Sequence, residues 1–242
     1  MTLEETRKKL EGVGGWLLPN EVEFLYEQAR KLKKRGEGVI VEIGSFKGRS
    51  TITLAAGSDA GDSLKIHAID PHMTDLEQKL SNNSKSSLDE FKKNVAASTV
   101  GHLVDPIVGL SQNVVKTWNK PVEFLWIDGD HSYVGAKMDF DLWAPFLVDG
   151  GVIAYHDSYD IFVQQVLKES IFDSKYYSHS GFVGTIAFAT KRSQPVSLFQ
   201  KIRNKFMFNI IKYHRIFNNA RPPKWIHKPV KKVGKLIMSA LS

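Results

Sequence analysis

The sequence predicts a doubly wound α/β domain on a mostly parallel sheet, and three observations carry that expectation. Short apolar runs rich in β-branched residues recur at Gly38–Ile43, Leu64–Ile69, Val122–Ile127 and Gly151–Tyr155. Stretches of helical period separate them, which is the βαβ alternation of a parallel sheet. Near the end, Lys175–Ser178 and Gly181–Thr190 follow one another with no helix between, so one of them runs antiparallel.

Element by element, Pro19–Arg35 sets Val22, Leu25, Tyr26, Ala29 and Leu32 at helical spacing and closes on Lys33, Lys34, Arg35 and Gly36. Further helices are expected at Lys47–Ala56, Leu88–Ala97, Gln112–Trp118, Tyr133–Phe146 and Ile161–Ile171. A brief strand at Pro106–Val108 makes seven strands in all. Ser81–Ser87 is polar and reads as a loop. The turn joining the last two strands is expected around His179–Gly181. No internal repeat or low-complexity tract interrupts the pattern.

At 242 residues, with 42% hydrophobic, the chain suits one sizeable domain and is too short for two full ones. It contains no cysteine, which excludes disulfide frameworks and thiolate metal sites and points to a reducing, cytoplasmic setting. Met1–Lys9 is polar and mixed in charge, unlike a signal peptide, and no apolar run is long enough to span a bilayer.

The net charge of +7 is unevenly placed. Residues 191–242 hold thirteen Lys and Arg and no acid, so residues 1–190 are net acidic. The expected division is a domain over 1–190 and a basic amphipathic tail over 191–242. Leu198, Phe199, Ile202, Phe206 and Ile210 recur at helical spacing in the tail, as do Val230, Val233, Ile237 and Leu241. Three readings stay open for it: packing on the domain or a second subunit in a homo-oligomer, an anionic membrane surface at the inner face, and, least favoured, nucleic acid.

Val39 to Ser50 reads as a strand, a glycine turn and a helix start, the place where a nucleotide-like ligand sits in a doubly wound sheet. Gly44 suits a conformation closed to other residues, Gly48 suits close packing as the helix begins, and amides there can face a carboxylate or phosphate. Glu42 lies inside the apolar strand, costly for a carboxylate unless a cation or donor meets it. Asp70 ends the second strand, where an acid takes ribose hydroxyls.

Glu42-Ile-Gly-Ser-Phe-Lys-Gly-Arg-Ser50 resembles the first motif of class I S-adenosylmethionine-dependent methyltransferases, and Ile69-Asp-Pro-His72 the second. The resemblance runs from about Trp16 to Thr190 and is closest to small-molecule and sugar O-methyltransferases, including macrocin- and rhamnosyl-type enzymes. It implies a Rossmann-like fold and S-adenosylmethionine as cofactor. Gly44, Ser45, Gly48 and Ser50 would line the methionine part, with Glu42 supporting this loop or the ammonium. Asp70 would bind the ribose, with His72 beside it, and Ser111 would lie near the adenine. The position of Ser111 fits a helix N-cap equally well.

Phe124-Leu-Trp-Ile-Asp-Gly-Asp-His-Ser-Tyr133 ends a strand on Asp128, and Ala154-Tyr-His-Asp157 ends the next. Adjacent parallel strands set these ends side by side, gathering Asp128, His131, His156 and Asp157. In the resembling metal-dependent O-methyltransferases this is the catalytic site, where residues matching Asp128, His156 and Asp157 hold a divalent ion. Methyl transfer from a sulfonium is an in-line displacement by an aligned oxygen, and a sugar hydroxyl is a very weak acid. His131 is assigned as general base, with Asp128 beside it, and oxygen ligands favour Mg²⁺ or Mn²⁺. His156 stands where catechol-type enzymes have a carboxylate, so metal dependence stays open, as does N-capping by Asp128 and Asp130. An NAD-linked or nucleotide-sugar enzyme is disfavoured by the missing third glycine. A non-catalytic module anchored by the tail has no need of the cluster.

Overall fold

β1, Val39–Ile43, is buried along its whole length, as a central parallel strand must be. A computed structural model describes residues 1–72 and 87–219, with side chains as far as Ile210. It sets β1 between two parallel neighbours, β2 (Ile66–Asp70) and β4 (Val122–Ile127). β3 (Val104–Val108) lies outside β2, and β5 (Leu147–Tyr155) beyond β4. β7 (Ile186–Lys191) runs antiparallel to β5, and β6 (Tyr177–Val183) pairs antiparallel with β7 at the edge. The order β3-β2-β1-β4-β5-β7-β6 is the expected seven-stranded, doubly wound sheet. It reverses direction between β1 and β4, and the crevice at those strand ends is where such sheets hold ligands.

The period of two along β1 sorts its side chains to two core layers. Val39, Val41 and Ile43 join Leu125, Ile127, Trp143 and Val163, while Ile40 joins Leu25, Leu54 and Phe124. The helices are α1 (Leu3–Lys9), α2 (Pro19–Lys31), α3 (Arg49–Asp59), α4 (Ser87–Ala97), α5 (Ser111–Val114), α6 (Tyr133–Trp143), α7 (Ile161–Leu167) and α8 (Leu198–Asn219). α1 was not expected. Thr2 and Glu5 close a capping box at its start, each side chain meeting the other's backbone N–H.

The last hairpin turns elsewhere than predicted. Gly181 lies within β6, and the chain reverses at Gly184, whose φ is +60°. The signal around His179 is instead a bulge: His179 has φ +49° and the register shifts between Ser178 and Gly181.

α8 docks on β6 through Asn204 and Met207, both buried. Asn204 Nδ2 donates to the Tyr177 carbonyl at 2.7 Å and Ser180 Oγ donates to Asn204 Oδ1 at 2.6 Å. The apolar stripe Leu198, Phe199, Ile202 and Phe206 is exposed. Among the described residues no helix is long and apolar enough to cross a membrane. The pattern from Val230 to Leu241 lies outside them, as do residues 81–86 of the expected polar loop.

Candidate active site

Backbone hydrogen bonds carry the parallel register past the strand ends and align the site. Gly44 N–H donates to Ile69 O, Asp128 N–H to Ile43 O and His156 N–H to Ile127 O, at 2.9, 2.8 and 3.0 Å. Gly44 has φ +88°, and a Cβ there would stand 2.1 Å from the Asp128 carbonyl oxygen. The glycine therefore admits the neighbouring strand end, not a ligand alone. Gly48 also has φ +88° and caps α3, where a Cβ would meet the Phe91 ring at 3.2 Å. It is a packing residue, as its place at the helix start suggested.

Glu42 is fully buried beneath this turn. Its carboxyl accepts from the hydroxyls of Ser50 and Thr51, the latter at 2.5 Å. Burial raises its pKa to about 8 against the opposing pull of those two hydroxyls. Glu42 thus braces the start of α3. Asp70 does the same from the other side: its two oxygens accept Phe46 N–H at 2.8 Å and His72 N–H at 2.7 Å. The His72 side chain is buried, with Nδ1 3.0 Å from Ser87 Oγ and its ring against Phe91.

Ser111 is the first residue of α5 rather than its cap; Leu110 holds the cap position. The Ser111 hydroxyl donates to Asp139 Oδ1 at 2.5 Å. Asp139, on α6, was not singled out from the sequence. Burial raises its pKa to about 6. Its signal was available: an acid on the same helical face as the buried Ala136 and Trp143.

The predicted gathering at the ends of β4 and β5 occurs. His156 is 5% exposed, with Nδ1 3.0 Å from Asp128 Oδ1 and 3.3 Å from Asp157 Oδ2. Its Nε2 faces Glu21 Oε2 at 3.6 Å. Burial would lower the His156 pKa, but the carboxylates of Asp128, Asp157 and Glu21 outweigh it and push it up to about 12. His156 is therefore an imidazolium at neutral pH. Glu21, fully buried on α2, also accepts Thr185 N–H, Thr185 Oγ1 at 2.9 Å and Leu18 N–H at 2.7 Å. Nothing in the sequence reading had assigned it.

His131 stands over the same carboxylates, half exposed, with Nε2 3.5 Å from Asp157 Oδ2 and 3.8 Å from Asp128 Oδ1. The Asp128 carboxylate raises its pKa above the ordinary value. Among the described residues, Asp128, His131 and Asp157 bring ligand atoms within 4.8 Å of one another. His156 is outside that set, because its Nδ1 already engages both aspartates. The N-cap of α6 is Ser132, not Asp128. Ser132 accepts Gly135 N–H at 3.1 Å, while Asp130 accepts the Ser132 N–H and hydroxyl.

These groups border one cavity of about 820 Å³, within the range of a cofactor site. Gly44, Ser45, Ser50, Asp70, Ser111, Asp128, His131, His156, Asp157 and Asp139 line it; Glu42, Gly48 and His72 stand behind it. Ser45 Oγ and Arg49 Nε are buried beside it with no hydrogen-bond partner among the described residues. Two orphaned polar groups next to a helix start fit the charged amino-acid end of S-adenosylmethionine. Trp16, also lining the cavity, is exposed and stacks on Phe46 with ring centroids 5.6 Å apart.

Residues 41–158 match the family model described as "Methyltransferase domain". Among solved structures the chain resembles an O-methyltransferase from Bacillus cereus in complex with SAH, at 20% identity and TM-score 0.55. That match covers 78% of this chain and 90% of the other. It also resembles the O-methyltransferase TomG from Streptomyces achromogenes, involved in tomaymycin synthesis and solved with SAM: 18% identity, TM-score 0.54, 79% and 89% covered. A third is CalS11, a TDP-rhamnose 3′-O-methyltransferase in calicheamicin biosynthesis: 14% identity, TM-score 0.50, 77% and 80% covered. Residues 41–158, which carry the glycine turn at the end of β1 and Asp70 at the end of β2, thus match a methyltransferase domain, and the chain has the fold of these O-methyltransferases.

Proposed function

We propose that the protein methylates a hydroxyl of a sugar or similar small molecule, with His131 as general base. The observation that carries this reading is the place of His131: over Asp128 and Asp157, in the cavity that the Gly44–Ser50 turn borders. S-adenosylmethionine, when bound, supplies a methyl group on a sulfonium. Ser45, Ser50 and Arg49 would hold its amino-acid end, Asp70 its ribose and Ser111 with Asp139 its adenine. Glu42, Gly48 and His72 keep those residues in position.

His131 accepts the hydroxyl proton through its neutral imidazole as the oxygen attacks in line. Asp128 and Asp157 stabilise the imidazolium that results. The stacked pair Trp16 and Phe46 offers a flat apolar surface suited to the C–H face of a sugar ring. The sugar class is also suggested by the likeness to TDP-rhamnose 3′-O-methyltransferase.

A second reading rests on the same atoms. Asp128, His131 and Asp157 fit a divalent ion, which would lower the pKa of a bound hydroxyl. One imidazole in the set favours Mn²⁺ over Mg²⁺.

His131→Ala, assayed with a panel of sugar and phenolic acceptors, tests the base. Turnover is expected to vanish while S-adenosylhomocysteine still binds. In the parent, kcat/KM is expected to rise with pH along a limb lying above the ordinary histidine value of 6.5, because the base must be neutral. Near-normal turnover in the variant rejects the base. Loss of parent activity on chelation, restored by Mn²⁺, transfers the three residues to the ion.

A further inference from the structure

We infer that α8 docks the protein on an anionic lipid bilayer. The inference is independent of the methyl-transfer reading. It starts from the two faces of α8. Asn204 and Met207 are buried on β6, yet the apolar stripe points away from the domain: Leu198 is 72% exposed, Phe199 68%, Ile202 59% and Phe206 48%. In the sequence the same phase of 3.6 continues through Tyr213, Ile216 and Phe217. Four large apolar side chains in a row on water are costly, and a monomer seldom displays such a stripe without a partner.

Charge selects the partner. Lys201 and Lys205 lie along the stripe and Lys212 and Arg215 follow on the same helix, while Arg203 turns to the domain and donates to the Ser180 carbonyl. From 191 to the end there are thirteen basic residues and no acid. A second copy pairing stripe to stripe would bring two uncompensated basic helices together. An anionic surface satisfies the helix, each lysine or arginine adding attraction near charged headgroups. Nucleic acid would answer the charge but offers no apolar sink for Leu198, Ile202 and Phe206. A bilayer answers both, with the stripe at the acyl boundary and the cations among the headgroups.

The test is flotation of the full chain with phosphatidylglycerol-containing vesicles and with pure phosphatidylcholine vesicles. The comparison protein carries Ile202→Glu together with Phe206→Glu. Both positions are exposed and neither lines the cavity, and an unchanged thermal melt verifies the fold. Binding is expected to the anionic vesicles, to weaken at high salt, and to fall at least about tenfold in the double variant. Three results overturn the inference: no flotation of the parent, equal flotation of parent and variant, or a dimer in light scattering that the double variant dissolves. Tight binding of an RNA oligonucleotide by both proteins, without flotation of either, does so too and moves the basic tail to nucleic acid.

Discussion

His156 Nδ1 lies 3.0 Å from Asp128 Oδ1, while the opposite nitrogen of the same ring faces Glu21 Oε2 at 3.6 Å. One imidazolium thereby joins the strand ends that form the site to the helix α2 that covers them. Glu21 extends the link to the β6–β7 hairpin through Thr185. The cluster is held by its own cation, and removing that cation would leave three carboxylates facing one another.

His156→Gln is therefore expected to cost about 3 kcal/mol, the scale of breaking a buried ion pair by deleting one partner. Urea unfolding measures it. The pH dependence has a definite sign. The His156 pKa is raised in the folded state from 6.5 to about 12, so its contribution is complete below 6.5 and is lost progressively as pH rises toward 12. The stability gap between parent and variant should narrow with rising pH. A gap that is constant or widens removes the imidazolium from the account.

Gly44→Ala and Gly48→Ala separate two uses of glycine. Both have φ +88°, but the new Cβ at 44 meets a backbone carbonyl at 2.1 Å, whereas at 48 it meets the edge of the Phe91 ring at 3.2 Å. Side chains give way and backbone between paired strands does not. Gly44→Ala should cost about 3 kcal/mol or more and abolish cofactor binding; Gly48→Ala should cost about 1–2 kcal/mol. Equal losses, read by thermal unfolding, would refute the close approach of Gly44 to Asp128.

Glu42→Gln tests the buried acid beneath the turn. Burial raises the Glu42 pKa from 4.5 to about 8, so the folded protein retains a proton the unfolded chain gives up. Its contribution is complete below 4.5 and declines as pH rises toward 8. The amide cannot lose a proton, so the variant should gain on the parent across that window in pH-dependent melting. Parallel curves would show that Glu42 is not the source.

The sheet was legible because its strands are short, apolar and β-branched, and because each ends in residues that only a strand end can use. Asp128, His131, His156 and Asp157 were placed together by the parallel register alone. What the sequence concealed was orientation. Glu42, Gly48 and His72 carry the motif yet lie behind the cavity wall, since a motif records spacing and not the direction of a side chain. Glu21 escaped because two of its partners, His156 and Thr185, lie more than a hundred positions away in the sequence. The hairpin was misplaced because a bulge and a turn share the same markers, a glycine and a left-handed residue, at His179–Gly181 and at Gly184. In α8 the periodicity of Leu198, Phe199, Ile202 and Phe206 announced a helix, but buried Met207 and Asn204, which donates to Tyr177 O and accepts from Ser180 Oγ, put the opposite side on the domain.

The central claim is that the cavity at the ends of β1, β2 and β4 takes S-adenosylmethionine and passes its methyl group onward. Isothermal titration with S-adenosylhomocysteine and with NAD tests it most directly. Saturable binding of one S-adenosylhomocysteine per chain, weakened in Asp70→Asn, with no heat from NAD, is the predicted result. Binding of NAD with none of S-adenosylhomocysteine would contradict it.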